Sequence, residues 1–289
     1  MSKTVISPKP IISVKQAISS GTKVAPDLLD NFEPKIQFVI ENDDFTIRTA
    51  SSHEDLHLAL KLRHDVFLEE GLGKSHRSGM EFDSLDAIAD HLMIIDNSTG
   101  NAIGTYRLID LRTSGQCFSE TEFVLDDFFA QEGNKLEMGR ACTHPKFRTG
   151  RTVDLLWKGL SKYIELSNTH YLFGCSSLFS EDFNEVFSIA KTLHAKKKLL
   201  FHWNIQARPP YDIKMPDRLY DQAKEKSQIL RDLPPLFRSY LHAGAIAYGY
   251  PSFDKVFRCV DFFTVLNLRS LNKKFQERYL PNYPEKITL

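Results

Sequence analysis

The chain has no run of 18 or more apolar residues, which argues against a membrane-spanning helix. Cysteine is scarce. Cys117, Cys142, Cys175 and Cys259 are widely spaced and form no CxxC pair, so a zinc knuckle is not expected. Three of them sit inside apolar runs, the pattern of buried thiols in a reducing compartment. No HExxH or similar spacing occurs, and no metal is expected. No GxGxxG follows an early strand, which argues against a doubly wound dinucleotide fold. Charge of one sign is not in excess, since Lys+Arg and Asp+Glu each total 37, so no nucleic-acid partner is expected. The opening MSKTVISPKPIISVKQ lacks the continuous apolar core of a secretory signal, and a cytoplasmic protein is expected.

What remains is an ordinary globular composition, 42% hydrophobic over 289 residues, enough for a sizeable core. Residues 1–45, with scattered prolines, read as an N-terminal extension. Residues 46–268 read as the main domain, with a covering insertion around 203–235, and 269–289 as a terminal helix and tail. FTIRTA (45–50) predicts a strand. Ser51 or Ser52 then caps a helix running to about Glu70, ended by Gly71 and Gly73. A long loop fills 71–90, and a hairpin follows with strands 91–96 and 102–110. Further strands are predicted at 136–144, 171–178 and 259–268. Helices are predicted at 152–166, 181–194, 235–245 and 271–280. This order predicts a mixed α/β fold with a substantially antiparallel sheet flanked by helices.

Certain charges fall where apolar residues belong. Leu56, Leu60, Arg63 and Phe67 recur at offsets of three or four, so Arg63 lies on an apolar stripe. It must find a partner, face a cleft or snorkel to water. Arg107 shares a strand face with Ile103, Thr105 and Ile109. In LEMGRACTHPKFRTGRTVDLLWKGL (136–160) a strand enters a turn holding His144, Lys146, Arg148, Gly150 and Arg151, and a helix starts at once. A helix N-terminus with arginines beside it suits a phosphate. The phosphate of a phosphopantetheine thioester fits this turn, with the arm lying where LEMGRACT and YLFGCSSL splay apart, beside Gly139 and Gly174. Glu137 is the nearest acid, placed either to take a proton from an amine or to partner a buried arginine. It faces away from Arg140 in an ideal strand, and a bulge would bring the two together. Asp83, Asp86, Glu120 and Glu122 are further acids able, with the arginines, to shape an amino-acid pocket. His91 and His144 are competing bases. Most of the 21 phenylalanines read as core, and some would suit an acyl channel.

Taken together, LRHDVFLEEG (62–71), FDSLDAIADHL (82–92), IGTYRL (103–108), SETEF (119–123), LEMGRACTHPKFRTG (136–150), LWKGLSKYI (156–164), YLFGCSSL (171–178), LPPLFRSYLHAGA (233–245) and VDFFTVL (260–266) resemble the bacterial ornithine–acyl carrier protein N-acyltransferases. The resemblance spans about 45–268. It implies a fold similar to the GCN5-related N-acetyltransferases and the acyl-homoserine-lactone synthases. It also implies a 3-hydroxyacyl carrier protein donor, L-ornithine as acceptor, and a lyso-ornithine lipid made at the inner face of the inner membrane, with peripheral contact to anionic lipid. No permanently bound cofactor is implied. By similarity to the lactone synthases, Arg63, Phe67, Asp83, Asp86 and Arg107 bind substrate, and Glu137 with Arg140 carries catalysis; Glu122, from the acid cluster, is the further substrate-binding candidate. His144, Lys146, Arg148, Gly150 and Arg151 would meet the phosphopantetheine and its carrier. RTGRT departs from the longer glycine-rich loop of acetyl-CoA enzymes, which suits a carrier protein better than coenzyme A. Direct attack on the thioester is implied, with Cys142 and Cys175 as the competing nucleophiles. Another acceptor such as glutamine, glycine or lysine, a lactone-type signal synthase, and a non-catalytic carrier- or lipid-binding module are the alternatives.

Overall fold

Apolar side chains follow one another along HLMIID, and the protein, described here by a computed structural model, sorts them into two buried layers. Leu92 and Ile94 enter one core cluster, while Met93 and Ile95 enter another on the opposite face. Residues 29, 32–213, 231 and 233–283 are described. Among them ten strands form one sheet: β1 (Val39–Glu41), β2 (Phe45–Thr49), β3 (Asp90–Asp96), β4 (Ala102–Asp110), β5 (Lys135–Thr143), β6 (Tyr171–Leu178), β7 (Leu199–Leu200), β8 (Ile246–Tyr248), β9 (Ser252–Asp254) and β10 (Cys259–Asn267). Their order is β1-β2-β3-β4-β5-β6-β10-β8-β7, with β9 beside β10. Pairing is antiparallel except at β5–β6 and β7–β8.

The main helices are α1 (His53–Arg63), α2 (Gly150–Ser167), α3 (Phe183–Ala195), α4 (Pro235–Ala243) and α5 (Lys273–Tyr279). Ser52 caps α1, its hydroxyl accepting from the Asp55 amide. Where one helix is predicted to Glu70, α1 gives way after Arg63 to a π-helical stretch, His64–Glu70, that carries Phe67. Helix α2 lies close on the sheet at Gly159, where a Cβ would stand 2.6 Å from Ile47 and 2.7 Å from Leu92. Gly244 ends α4 in the left-handed conformation.

Two expectations change. Ile94 pairs with Gly104 and Ile95 with Ala102, so Ile103 is an extra residue in β4. That bulge moves Ile103 into the cluster with Tyr106 and Leu108, off the face of Arg107. Within the predicted extension, β1 joins the sheet edge. In the predicted insertion, Gln206–Ala207 pairs with Phe123–Val124. Residues 214–230 and 232, with 1–28, 30 and 31, lie outside the described residues, and so does most of the surface expected to meet a membrane.

Candidate active site

Strands β5 and β6 run parallel and pair only at Lys135–Tyr171, Leu136–Leu172 and Glu137–Phe173. Gly174 keeps them close there, since a Cβ on it would stand 2.3 Å from the Met138 carbonyl oxygen. Beyond this point the ladder stops. A cavity of about 180 Å³ opens between Gly139–Ala141 on one strand and Cys175–Ser177 on the other. It meets a larger groove, about 1240 Å³, at Phe67, Ala141, Leu236 and Phe257. The groove runs past Trp157 and Phe275 to the N-terminus of α2.

The far edge of β5 shapes the cavity. Arg107 pairs with Gly139 and Thr105 with Cys142, so Arg140 and Ala141 together face Tyr106. Such a bulge was the condition for Glu137 and Arg140 to share a cleft, and both line the cavity. Arg140 takes φ 51°, left-handed for a non-glycine residue, and that turn carries its side chain into the cavity wall. Arg140 Nε donates to Glu81 (3.3 Å) and Nη2 to Asp83 (3.1 Å). The guanidinium lies 4.5 Å from the Phe118 ring centre and 5.1 Å from that of Phe257. Its Nη1 makes no hydrogen bond to any described residue.

Behind Arg140 lies a buried ion network. Arg63, with no exposed surface, donates from Nε to Glu81 (2.6 Å) and from Nη1 to Asp86 (2.6 Å). Arg107 Nη1 donates to Asp83 (2.7 Å) and Asp86 (3.3 Å). Three arginines thus meet three carboxylates. Burial disfavours the charge on Arg63, but Asp86 and Glu81 outweigh it and hold its pKa above the usual arginine range. Burial likewise opposes charge on Asp86, and Arg63 and Arg107 overcome it, keeping that carboxyl below its usual range. The substrate-contact reading of Arg63, Asp83, Asp86 and Arg107 gives way here: all four are buried outside the cavity lining and brace Arg140. Glu81, not singled out in the sequence, completes the network.

Glu137 is also corrected. Its carboxylate accepts from the Phe118 amide (2.8 Å), the Ser119 amide (2.6 Å) and the Ser119 hydroxyl (2.6 Å). Each oxygen accepts from that turn, so Glu137 pins Phe118 while also lining the cavity. Its partners are that turn, not an arginine. His91 is not placed to act as a base. It is wholly buried, its Nε2 meets the Asp86 carbonyl at 3.1 Å, and burial, against the pull of Asp86, lowers it to about 4.

A second acidic group was only partly foreseen. Glu122, Asp254 and Asp261 are all buried, and one oxygen of each lies within 4.8 Å of the others. Asp254 and Asp261 line the cavity, while Glu122, expected to contact substrate, lies buried outside the lining. Burial, then the neighbouring Asp261, raises Glu122 well above the usual range, and burial pushes Asp261 up to about 6.

Residues 62–158 match the family model described as acetyltransferase (GNAT) domain. The chain is 32% identical over 247 residues to the L-ornithine N(alpha)-acyltransferase of Rhizobium meliloti (strain 1021), covering 80% of this chain and 83% of that one. This chain belongs to the L-ornithine N(alpha)-acyltransferase family. A second member, from Agrobacterium fabrum (strain C58 / ATCC 33970), is 26% identical over 253 residues, covering 80% and 84% of the two chains. Among solved structures, the acyl-homoserine-lactone synthase LasI is similar at a TM-score of 0.47 and 13% identity, over 85% of this chain and 96% of that one.

In this family member the α2 N-terminus gathers the predicted carrier-binding turn. Arg148 and Gly150 line the groove. Thr149 leaves the helix without a side-chain cap. His144 and Lys146 are not in the lining, since His144 Nδ1 accepts from the Lys146 amide at 3.3 Å. Arg148 pairs with Glu70, whereas Arg151 pairs with Asp44 and lies over Phe45, outside the groove lining. Of the two glycines expected to admit the arm, Gly139 has nothing within 4 Å of an added Cβ, while Gly174 serves strand contact. Burial raises the thiols of Cys142 and Cys175, which keeps both protonated and weakly nucleophilic. Asp254 and Asp261 escaped the sequence reading because each looks like an ordinary acid in or beside an apolar strand. Only cross-strand register brings Asp261 opposite Ser252 and Ser177.

Proposed function

We propose that this protein moves a 3-hydroxy fatty acyl group from the phosphopantetheine thioester of acyl carrier protein to the α-amine of L-ornithine, giving lyso-ornithine lipid. The observation that carries the reading is the opening of the β5–β6 ladder into a small cavity, with Arg140, Asp254 and Asp261 among largely apolar walls, that joins a larger groove. The relatives' names supply ornithine. The uncapped α2 N-terminus beside Arg148 suits one phosphate. The free Nη1 of Arg140 suits the acceptor's carboxylate.

In this arrangement the neutral α-amine attacks the thioester carbonyl. The C–N bond forms, the C–S bond breaks, and the proton lost by nitrogen balances the one gained by the departing thiol. No residue need retain it. The bulge at Arg140–Ala141 takes backbone out of the regular ladder, where an amide can polarise the carbonyl. No helix among the described residues is long and apolar enough to cross a membrane, and we assign lipid contact to reversible binding at an anionic surface.

The test follows thiol release and product mass with ornithine and either 3-hydroxyhexadecanoyl carrier protein or the matching CoA thioester. N-acylornithine from the carrier protein alone supports the reading. Faster transfer from CoA overturns the donor. No transfer from a folded protein favours a binding module.

A further inference from the structure

Two buried ionic clusters lie on the two sides of this cavity, and they differ in kind. In the first, the carboxylates of Glu81, Asp83 and Asp86 are matched by three arginines. In the second, no Lys, Arg or His among the described residues forms an ion pair with Glu122, Asp254 or Asp261. Their partners are neutral. Ser252 Oγ donates to Glu122 Oε2 (2.6 Å), and Ser177 Oγ donates to Asp261 Oδ1 (2.5 Å). The Val256 and Phe257 amides donate to Asp254 Oδ1 (2.6 and 3.1 Å). Glu122 Oε1, in a side chain with no exposed surface, has no hydrogen-bond partner among the described residues. Three unmatched buried acids repel one another in a medium that screens poorly, and an unpaired buried oxygen adds its own desolvation cost. A fold keeps such a site when something cationic completes it.

The cavity indicates what that is. It is lined at once by Arg140 and by Asp254 and Asp261. Arg140 lies near enough to pull on the charges of Glu122 and Asp261 without bonding to either. A molecule in this space meets a guanidinium on one side and carboxylates on the other. An ammonium carries three N–H donors, able to reach three separate acceptors.

We infer that Asp254 and Asp261 in the cavity wall, with Glu122 buried directly behind them, form the subsite for the side-chain ammonium of a diamino-acid acceptor, so that the acceptor is held by both ends with its α-amine at the strand opening. The assignment rests on the functional reading above and deepens it. A divalent metal is the competing cation, but calcium or magnesium takes six or more oxygen ligands, and serine and amide donors already occupy one oxygen of each carboxylate.

Glu122→Gln and Asp261→Asn keep size and can still accept from Ser252 and Ser177. Each variant is to be assayed with ornithine and with norvaline, which has the same carbon chain without the terminal amine. The ratio of kcat/KM for ornithine over norvaline should fall by about 100-fold, mainly through KM for ornithine. The ligand-free variants should melt above the wild type, where a purely structural role would make them melt below it. Ornithine, and not norvaline, should raise the melting temperature of the wild-type protein, a reading that needs no turnover. Equal losses with both acceptors, or wild-type protein that takes both equally, would overturn the subsite while leaving acyl transfer intact. Ornithine turnover lost to EDTA and restored by a divalent metal would overturn it in favour of a metal. Wild-type protein that stabilises with ornithine yet acylates nothing would keep the subsite and sink the transfer reaction.

Discussion

Arg63 shows how far one residue can be read. Its place on an apolar helix face left a partner, a cleft or water as outcomes, and Glu81 and Asp86 are the partners it finds. Arg63→Met should destabilise the fold by about 3–5 kcal/mol in urea titration, because two buried carboxylates lose their counter-charge. Arg63→Lys should recover only part of this, since one ammonium cannot copy a forked guanidinium. Asp261 predicts the opposite behaviour. Its pKa is raised in the folded state to about 6, from an ordinary value of 3.8, so the folded protein holds that proton more tightly. The stabilising contribution is therefore present below about pH 4 and lost as pH rises through about 6. Asp261→Asn should gain roughly 3 kcal/mol over the wild type at pH 7.5 and little at pH 4, read by melts at both values. Nothing in the sequence marked Asp254 or Asp261, because each is an isolated acid and their proximity exists only across strands.

At the scale of elements, periodicity recovered the long strands and most helices, including 171–178 to the residue. It missed β7, β8 and β9, which at two or three residues are too short to show a period. That gap mattered, because β9 ends in Asp254. The loop predicted over 71–90 is mostly irregular, yet its short 3₁₀ turn, Ser84–Ala87, is capped by Asp83 and carries Asp86 into the network. The β5 bulge entered the sequence reading only as a condition for Glu137 and Arg140 to share a cleft, because bulges leave no mark in hydrophobic alternation. Two glycines separate the roles of the strands that part here. Gly174→Ala puts a Cβ against the Met138 carbonyl and should cost more than about 2 kcal/mol while abolishing transfer. Gly139→Ala meets open cavity and should change stability by less than about 0.5 kcal/mol, yet slow turnover by filling the path of the arm. Chemical denaturation alongside single-turnover rates separates the two.

For the whole molecule, the sheet holds two faces apart and lets one opening through. Helix α2 covers one face, α1 the other, and the groove passes between the π-helical end of α1, α2 and α4. The overall fold class was legible because it follows from element order and alternating polarity, and the family from the run of motifs taken together. The covering segment was legible only as composition, and much of it falls outside the described residues. At this scale the exposed Arg148–Glu70 pair gives a prediction about the carrier. Surface pairs add about 0–1 kcal/mol, so Arg148→Glu should fold normally. It should weaken acidic carrier-protein binding by about tenfold at low salt, and the difference should shrink as salt rises, measured by titration calorimetry. The most direct test of the account is an acceptor competition. Purified protein, 3-hydroxyacyl carrier protein and an equimolar mixture of amino acids including ornithine and norvaline would be resolved by product mass. One new species, N-acylornithine, is the predicted result. Acylation spread over neutral amino acids, or no acyl-amino acid at all, would contradict it.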